Sequence, residues 1–356
     1  MEMALYDPGA GFFATGGAAG REGDFITSPE VGPLFGAVLA RALDSWWTGL
    51  GRPDRYVVVE AGAGAGTLAA AIRVAAPACA PALHYVMVER SDSLRARQAK
   101  AVPLEPPSGG FGAVDPDDEE QPGSASPAQR TGPTFTSLPE LPARPFTGVV
   151  IANELLDNLP FHLLQRGERW EEVRVGEARG ALVEVLVPAP APLAAEAERL
   201  VPAAAEGARL PVQVAAQSWL KQALSLVDRG GVVVIDYADA TASMATRPPA
   251  DWLRTYRSHG RGGDPLQDPG SQDITCEVAV DQLARVRQPD LNRTQFEFLR
   301  THGIGELTAG ARATWHERAY LGDLEALKAR SRVGEAAALT DPTGLGAFRV
   351  LEWTAG

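Results

Sequence analysis

Cysteine is scarce in this chain, paired histidines are absent and no apolar run is long, and each shortage removes a class of protein. With Cys79 and Cys276 as the two cysteines, neither a disulfide framework nor a cysteine-rich zinc site can organise the fold, and a reducing, cytoplasmic setting suits the sequence. The five histidines, His84, His162, His259, His302 and His316, show no H-x-x-x-H or H-E-x-x-H spacing, so no metal is expected. No serine sits in a G-x-S-x-G turn, which leaves acyl-enzyme chemistry without its nucleophile. Glycine, proline or charge breaks every apolar stretch well short of the ~20 residues that cross a bilayer, and the first thirty residues lack a basic start followed by an apolar run. Neither membrane insertion nor a signal peptide is expected. A basic excess is missing too: the formal charge of −12 argues against nucleic acid as a partner, because such proteins use cationic faces to release counterions. The same charge suits a cationic partner such as an Arg-rich or Lys-rich protein segment, although solubility alone also accounts for it.

What is present is an alternation of strand and helix signals over a length able to bury a large core. Gly9 to Gly23 is too rich in glycine for a regular element, and apolar residues at Val31, Leu34, Phe35, Val38, Leu39 and Leu43 then predict a helix starting near Thr27. Strands are predicted at Tyr56–Val59, Leu83–Val88, Gly148–Ala152 and Val232–Tyr237, with helices at Thr67–Val74, Ser91–Lys100 and Ser218–Leu226, the last ended by Gly230-Gly231. Strands alternating with helices imply an α/β fold with a doubly wound, mostly parallel sheet. Trp170–Val175 and Ala181–Val187, joined through Gly176 and Gly180, read as a hairpin within a smaller α+β excursion. We divide the chain into residues 1–160 (an N-terminal segment and the first part of the core), 161–215 (the excursion) and 216–356 (the rest of the core, with a lid at 252–275). Residues 103–133, rich in Pro, Gly, Ser and acid, read as a mobile acidic insertion.

The chemistry gathers where strands end. In Glu60-Ala61-Gly62-Ala63-Gly64-Ala65-Gly66, three alternate glycines let the backbone turn sharply and approach a ligand that a Cβ would block. A dinucleotide loop, G-x-G-x-x-G, would need glycine at 67 or at 69, where Thr67 and Ala69 stand, and a phosphate loop would need a following Gly-Lys-Ser/Thr. E-x-G-x-G-x-G is instead the form usual in S-adenosyl-L-methionine enzymes, with Gly62, Gly64 and Gly66 lining the cofactor. Glu89, closing the second strand, suits the two ribose hydroxyls of a nucleoside, and Glu60 suits its amino-acid end or holds the turn. Asn153, Glu154 and Asp157 follow the next strand signal. Glu154 and Asp157 would share a face of a helical turn, where a carboxylate pair could grip a guanidinium and take its proton; the plainer alternative is that they cap a helix. Thr27-Ser28-Pro29-Glu30 fits a capping box.

These residues resemble a known family, the MidA-like methyltransferases, which include a mitochondrial arginine methyltransferase that assists assembly of respiratory complex I. Gly23-Asp24-Phe25-Ile26-Thr27-Ser28-Pro29-Glu30 with Phe35-Gly36 is similar to its N-terminal signature, and Glu60–Gly66 to its cofactor loop. Glu89-Arg90-Ser91, Ala152-Asn153-Glu154 with Asp157, Asp236-Tyr237, Leu253-Arg254 with Tyr256-Arg257 and His259, Pro269-Gly270 with Asp273, and Thr294-Gln295 extend the likeness along nearly the whole chain. The resemblance implies a Rossmann-like methyltransferase sheet and S-adenosyl-L-methionine as donor. It implies a cofactor site that Asp24, Thr27, Ser28 and Asn153 join, and a protein arginine as acceptor at Glu154 and Asp157, with a respiratory complex I subunit as the protein partner. The alternative is a non-catalytic, cofactor-binding assembly factor. Two places depart from the pattern: Gln213 stands where a Glu is expected, and Cys276-Glu277 replaces a small residue and a His.

Overall fold

The computed structural model describes residues 1–15, 17, 27–107, 132–257 and 260–356. Asp24, His259 and residues 108–131 of the expected acidic insertion lie outside the described residues. The chain forms two compact units that interleave in sequence, one of Met1–Phe25, Glu154–Gln222 and Asp236–Pro289, the other of Ile26–Asn153, Ala223–Ile235 and Asp290–Gly356.

The second unit carries a seven-stranded sheet: β1 (Tyr56–Ala61), β2 (Leu83–Val88), β3 (Thr134–Leu138), β4 (Phe146–Asn153), β5 (Val227–Asp236), β6 (Leu291–Thr294) and β7 (Arg349–Ala355). Its order is β6-β7-β5-β4-β1-β2-β3. The pairs β1/β2, β2/β3, β1/β4 and β4/β5 are parallel, whereas β6 and β7 run antiparallel to each other. The order reverses between β1 and β4, and the crevice at such a switch point is where open α/β sheets bind ligands. Every residue of β1 is buried, as a parallel sheet covered on both faces requires. Tyr56, Val58, Tyr85, Met87, Val149 and Ile151 share one core with Leu34, Phe35, Val38 and Leu39 of helix α1 (Pro33–Gly49) and with Leu68 and Ile72 of helix α2 (Thr67–Ala75). Each such fully buried side chain contributes roughly 1.5–3 kcal/mol.

Two boundaries differ from expectation. The helix expected to start near Thr27 is a single turn, Ser28–Val31, interrupted at Gly32 before α1 begins at Pro33, because proline fits the first turn of a helix and not its interior. Gly230-Gly231 does not end a helix either. The helix stops at Ser225 and both glycines lie inside β5, where a Cβ on Gly230 would sit 1.8 Å from the carbonyl oxygen of Gly148 on β4. Close approach of two backbones, not a turn, selects glycine there.

The first unit holds a four-stranded antiparallel sheet in the order Ala181–Pro188, Trp170–Ala178, His162–Arg166, Arg209–Val212. The hairpin turn falls on Arg179 (φ 56°) and Gly180 (φ 78°), so Gly176 belongs to a strand. Helix Ala191–Leu200 covers this sheet through Leu193 and Ala197 against Leu164, Trp170, Leu210 and Val212. Within the stretch expected to act as a lid, Leu253–Arg257 pairs with Gly260–Arg261 and with Asp273–Cys276.

Candidate active site

β1 ends in a loop whose three glycines all take positive φ: Gly62 (73°), Gly64 (52°) and Gly66 (86°), the last capping α2. L side chains rarely adopt this conformation, which is the physical content of the alternate-glycine pattern. The loop is clamped from several sides. Gly62 and Ala63 donate their N–H groups to Val88 O (2.9 and 3.0 Å), and Gly64 N–H donates to Glu89 Oε2 (2.9 Å). Gln98 Nε2, from helix α3 (Asp92–Ala101), donates to Gly64 O (2.9 Å), and Ser137 Oγ on β3 donates to Gln98 Oε1 (2.6 Å). The residue Gly64 is thus held at both its N–H and its carbonyl, while the position a Cβ would take on it has nothing within 4 Å. A rigid, open cradle over a helix N-terminus results.

Glu89 is half-buried and also accepts from Ser91 N–H (2.8 Å). Burial raises its carboxyl above the usual range, and the N–H donors of Ser91 and Gly64 hold it back. Glu60 is buried; Tyr85 Oη donates to its Oε2 (2.9 Å). Loss of solvent is the main cause that pushes Glu60 up to about 8, so it is largely neutral near pH 7 until a cation arrives.

Within the other unit, four residues build an acidic cluster. Glu154 sits at φ 51°, uncommon for a side-chain-bearing residue and of the kind that concentrates at functional sites. It precedes the short 3-10 turn Leu156–Asn158 rather than sharing it, so the face expected to carry both Glu154 and Asp157 does not form. Asp236 Oδ2 accepts from the N–H groups of Leu156 (3.1 Å) and Asp157 (3.3 Å), and Oδ1 accepts from Tyr237 N–H (3.0 Å). Tyr237 Oη donates to Asp157 Oδ2 (2.7 Å), and Asp157 Oδ1 is buried with no well-formed hydrogen bond among the described residues. Desolvation raises Asp157 to about 6, against the donation from Tyr237. It raises Asp236 further, helped by the neighbouring charges of Asp157 and Glu154. Two adjacent carboxyls that resist joint ionisation can share a proton near neutrality.

The two departures from the family pattern belong to this cluster's surroundings. Gln213 Nε2 donates to Glu277 O (2.8 Å), and its Oε1 accepts from Ala279 N–H (2.7 Å). The Glu277 carboxylate takes Arg247 (2.6 Å) and Arg254 (2.8 Å), and the Arg254 guanidinium lies 5.4 Å from the centre of the Tyr237 ring. Glu277 thereby seats a cation on the tyrosine that serves Asp157.

Glu60, Gly62, Gly64, Gly66, Glu89 and buried Asn153 all fall within the larger unit, Asn153 at the end of β4 and the others around the loop. Thr27 and Ser28 are buried there too. Thr27 makes no capping bond, and the capping box does not close, because Glu30 Oε1 accepts from Thr67 Oγ1 (2.6 Å) instead. Ser28 Oγ donates to Gln295 Oε1 (3.0 Å). Sequence reasoning passed over Gln98, Ser137, Tyr85, Asp236 and Tyr237 as site residues. For the last two a signal existed, since an acid and a tyrosine at the carboxyl end of a predicted parallel strand stand at the ligand edge. Among the described residues no helix is long and apolar enough to cross a membrane, and no three His, Cys, Asp or Glu side chains form a metal cluster.

Comparison with known proteins places this geometry in a family. A family model described as "Putative S-adenosyl-L-methionine-dependent methyltransferase" matches residues 38–298. The chain is 30% identical over 336 residues to the protein arginine methyltransferase NDUFAF7, mitochondrial, of Bos taurus, covering 85% of this chain and 69% of that protein. Against the Drosophila melanogaster homolog, identity is 28% over 290 residues, covering 78% and 63%. The chain therefore spans about two thirds of the length of these curated relatives. A crystal structure from Burkholderia thailandensis, described as a "likely methyl transferase" and bound to S-adenosyl-homocysteine, matches with a TM-score of 0.79 at 28% identity, covering 99% of this chain and 86% of that one. The chain belongs to this S-adenosyl-L-methionine-dependent methyltransferase family, and S-adenosyl-L-methionine is its cofactor. The residues present fit that group: an open cradle at Gly64, a carboxylate at Glu89 able to accept hydroxyl donors, and a buried carboxyl at Glu60.

Proposed function

We propose that this chain methylates an arginine side chain of a protein. The observation that carries the reading is the buried Asp157–Asp236 pair, with Asp157 raised to about 6. When bound, the cofactor supplies a methyl carbon activated by positive sulfur, so the protein's task is to present a nitrogen lone pair in line with it. A guanidinium in water keeps its proton and offers no lone pair. Asp157 and Asp236 change that locally: both carboxyls are raised by desolvation and gain a counter-charge when a cation arrives, and Asp157 Oδ1 has no well-formed hydrogen bond among the described residues. Tyr237, itself kept protonated by burial and by both aspartates, fixes the other oxygen. Asp157 then takes the guanidinium proton as the nitrogen is methylated. Glu154 adds a second carboxylate for the cation.

Incubating the purified chain with methyl-labelled S-adenosyl-L-methionine and a lysate of its source cells, followed by mass spectrometry of labelled peptides, tests this directly. Label on arginine, lost with Glu154→Gln and Asp157→Asn, is the expected result. Turnover left intact by Glu154→Gln would remove that residue from the acceptor site, and label on another residue type would overturn the acceptor. The partner proposed from the family resemblance is a respiratory complex I subunit; a catalytic-site variant that still rescued complex assembly in cells would instead favour a non-catalytic assembly role. A cytoplasmic setting is proposed as well, supported by two buried, unbridged cysteines, and finding the native chain in an oxidising compartment would reverse it.

A further inference from the structure

The smaller unit's four-stranded sheet ends on Ala181–Pro188, with which no second strand pairs among the described residues. Its register against Trp170–Ala178 starts at Ala178↔Ala181 and ends at Glu171↔Pro188, across a two-residue turn with positive φ at both Arg179 and Gly180. Such a turn closes on a pair that exchanges both of its N–H···O bonds, and the antiparallel ladder alternates from there. Val183, Val185 and Val187 therefore spend their backbone groups on the inner partner. Leu182, Glu184 and Leu186 turn theirs outward. Pro188, which has no N–H to offer, falls in the outward set, where the ladder loses nothing.

Edge strands are normally blunted by lysine, a central proline, a bulge or a covering segment. This one has none of these among the described residues. On one face Leu182 and Leu186 (39% and 42% exposed) lie beside Val175 of the neighbouring strand (57% exposed), while Val185 (41% exposed) is on the other face. The strand's one charge, Glu184, is held by Arg209 from the opposite edge of the sheet (2.8 and 2.5 Å). What remains is an apolar ribbon with outward N–H and C=O groups repeating at about 6.8 Å, a spacing that only extended backbone matches.

We propose that this edge takes an extended, apolar and basic segment of the partner polypeptide as a fifth strand. Main-chain hydrogen bonds would supply affinity, and alternate side chains on the apolar ribbon would supply selectivity. Charge selects between occupants: with a net charge of −12, two copies of this chain repel each other, whereas a cationic segment is attracted. The inference rests on the proposed protein arginine acceptor and adds where the substrate is gripped: along this sheet edge, so that binding energy from non-reacting residues can position the reacting one.

The test uses a fluorescein-labelled, end-blocked octapeptide of alternating Val and Arg, with binding read by fluorescence anisotropy. Leu186→Pro removes an outward N–H and leaves the inward ladder intact, so binding should weaken at least tenfold while far-UV circular dichroism and S-adenosyl-homocysteine affinity stay unchanged. A second arm leaves the protein untouched: of two peptides N-methylated on alternate sets of amides, one should lose binding and the other keep it. Equal binding by wild type and Leu186→Pro, or by both N-methylated peptides and their parent, overturns the proposal. So does a wild-type dimer in sedimentation velocity that Leu186→Pro converts to monomer, since a second copy would then be the occupant. Absence of S-adenosyl-homocysteine binding by the wild type would sink the methyltransferase reading and leave the peptide result standing.

Discussion

In the larger unit burial raises Glu89 and Glu60 too, but donors hold each back, the N–H groups of Gly64 and Ser91 on Glu89 and Tyr85 Oη on Glu60, whereas in the smaller unit two buried carboxyls, Asp157 and Asp236, lie together and the charge of Asp157 adds to the loss of water at Asp236. One region is assembled from backbone whose polar groups are satisfied. The other stores an unfavourable arrangement of charge, next to a residue at positive φ. A satisfied cradle suits a ligand that must be held the same way in every cycle. A strained acid pair suits a group that must change protonation during the cycle.

Four perturbations probe this contrast, from the largest effect to the smallest. Asp157→Asn should lower methyl transfer by about 10²–10⁴-fold, the usual range for a lost general base, with S-adenosyl-homocysteine affinity in calorimetry unchanged. A matching loss of affinity would mean that the two regions do not divide the labour. Gly64→Val places a β-branched residue at φ 52° in the middle of the clamp, at a conformational cost of about 1–2 kcal/mol; calorimetric affinity for the adenosyl ligands should fall about tenfold. The charge of Asp157 opposes ionisation of Asp236, whereas desolvation is the main cause that raises Asp157, so Asp236→Asn should leave the acidic limb of kcat/KM against pH near 6; a move of that limb to lower pH would mean that Asp236 ionises first.

Glu60 supplies the mildest test, through stability. Its carboxyl is raised from 4.5 to about 8 in the folded chain, so the unfolded chain gives up the proton first as pH rises. The stabilisation linked to neutral Glu60 is complete below pH 4.5 and drains away up to about pH 8, at no more than about 1.4 kcal/mol per pH unit. Denaturant titrations between pH 5 and 8 should show a shallower decline in Glu60→Gln than in the wild type. Parallel slopes would mean that Glu60 is ionised in the unliganded fold.

The cofactor region was legible in the sequence because its requirement is local: a left-handed backbone at alternate positions restricts residue choice to glycine, and Gly62, Gly64 and Gly66 announce it. Its supports were not. Gln98 and Ser137 reach the loop from α3 and β3, far away in sequence, and nothing in a buried glutamine on a helix says which carbonyl it will find. The acid region was half legible, through Glu154 and Asp157 after a strand. Asp236 joins them only because β5 lies beside β4, a non-local pairing that one sequence does not state. The parallel strands could be read from their β-branched runs, whereas the break at Gly32-Pro33 and the extension of β5 through Gly230-Gly231 could not, since the same residue types end a helix in one context and permit close backbone approach in another.

Because the polypeptide passes between the two units five times, after residues 25, 153, 222, 235 and 289, a ribosome cannot finish one before starting the other. The glycine loop leaves the ribosome early, yet β7, a neighbour of β5 in the same sheet, follows about 280 residues later, a wait of roughly 15–60 s at ordinary synthesis rates. Vectorial folding is thereby closed to this protein, and an interrupted translation product would carry the complete cofactor motif with no finished sheet to display it.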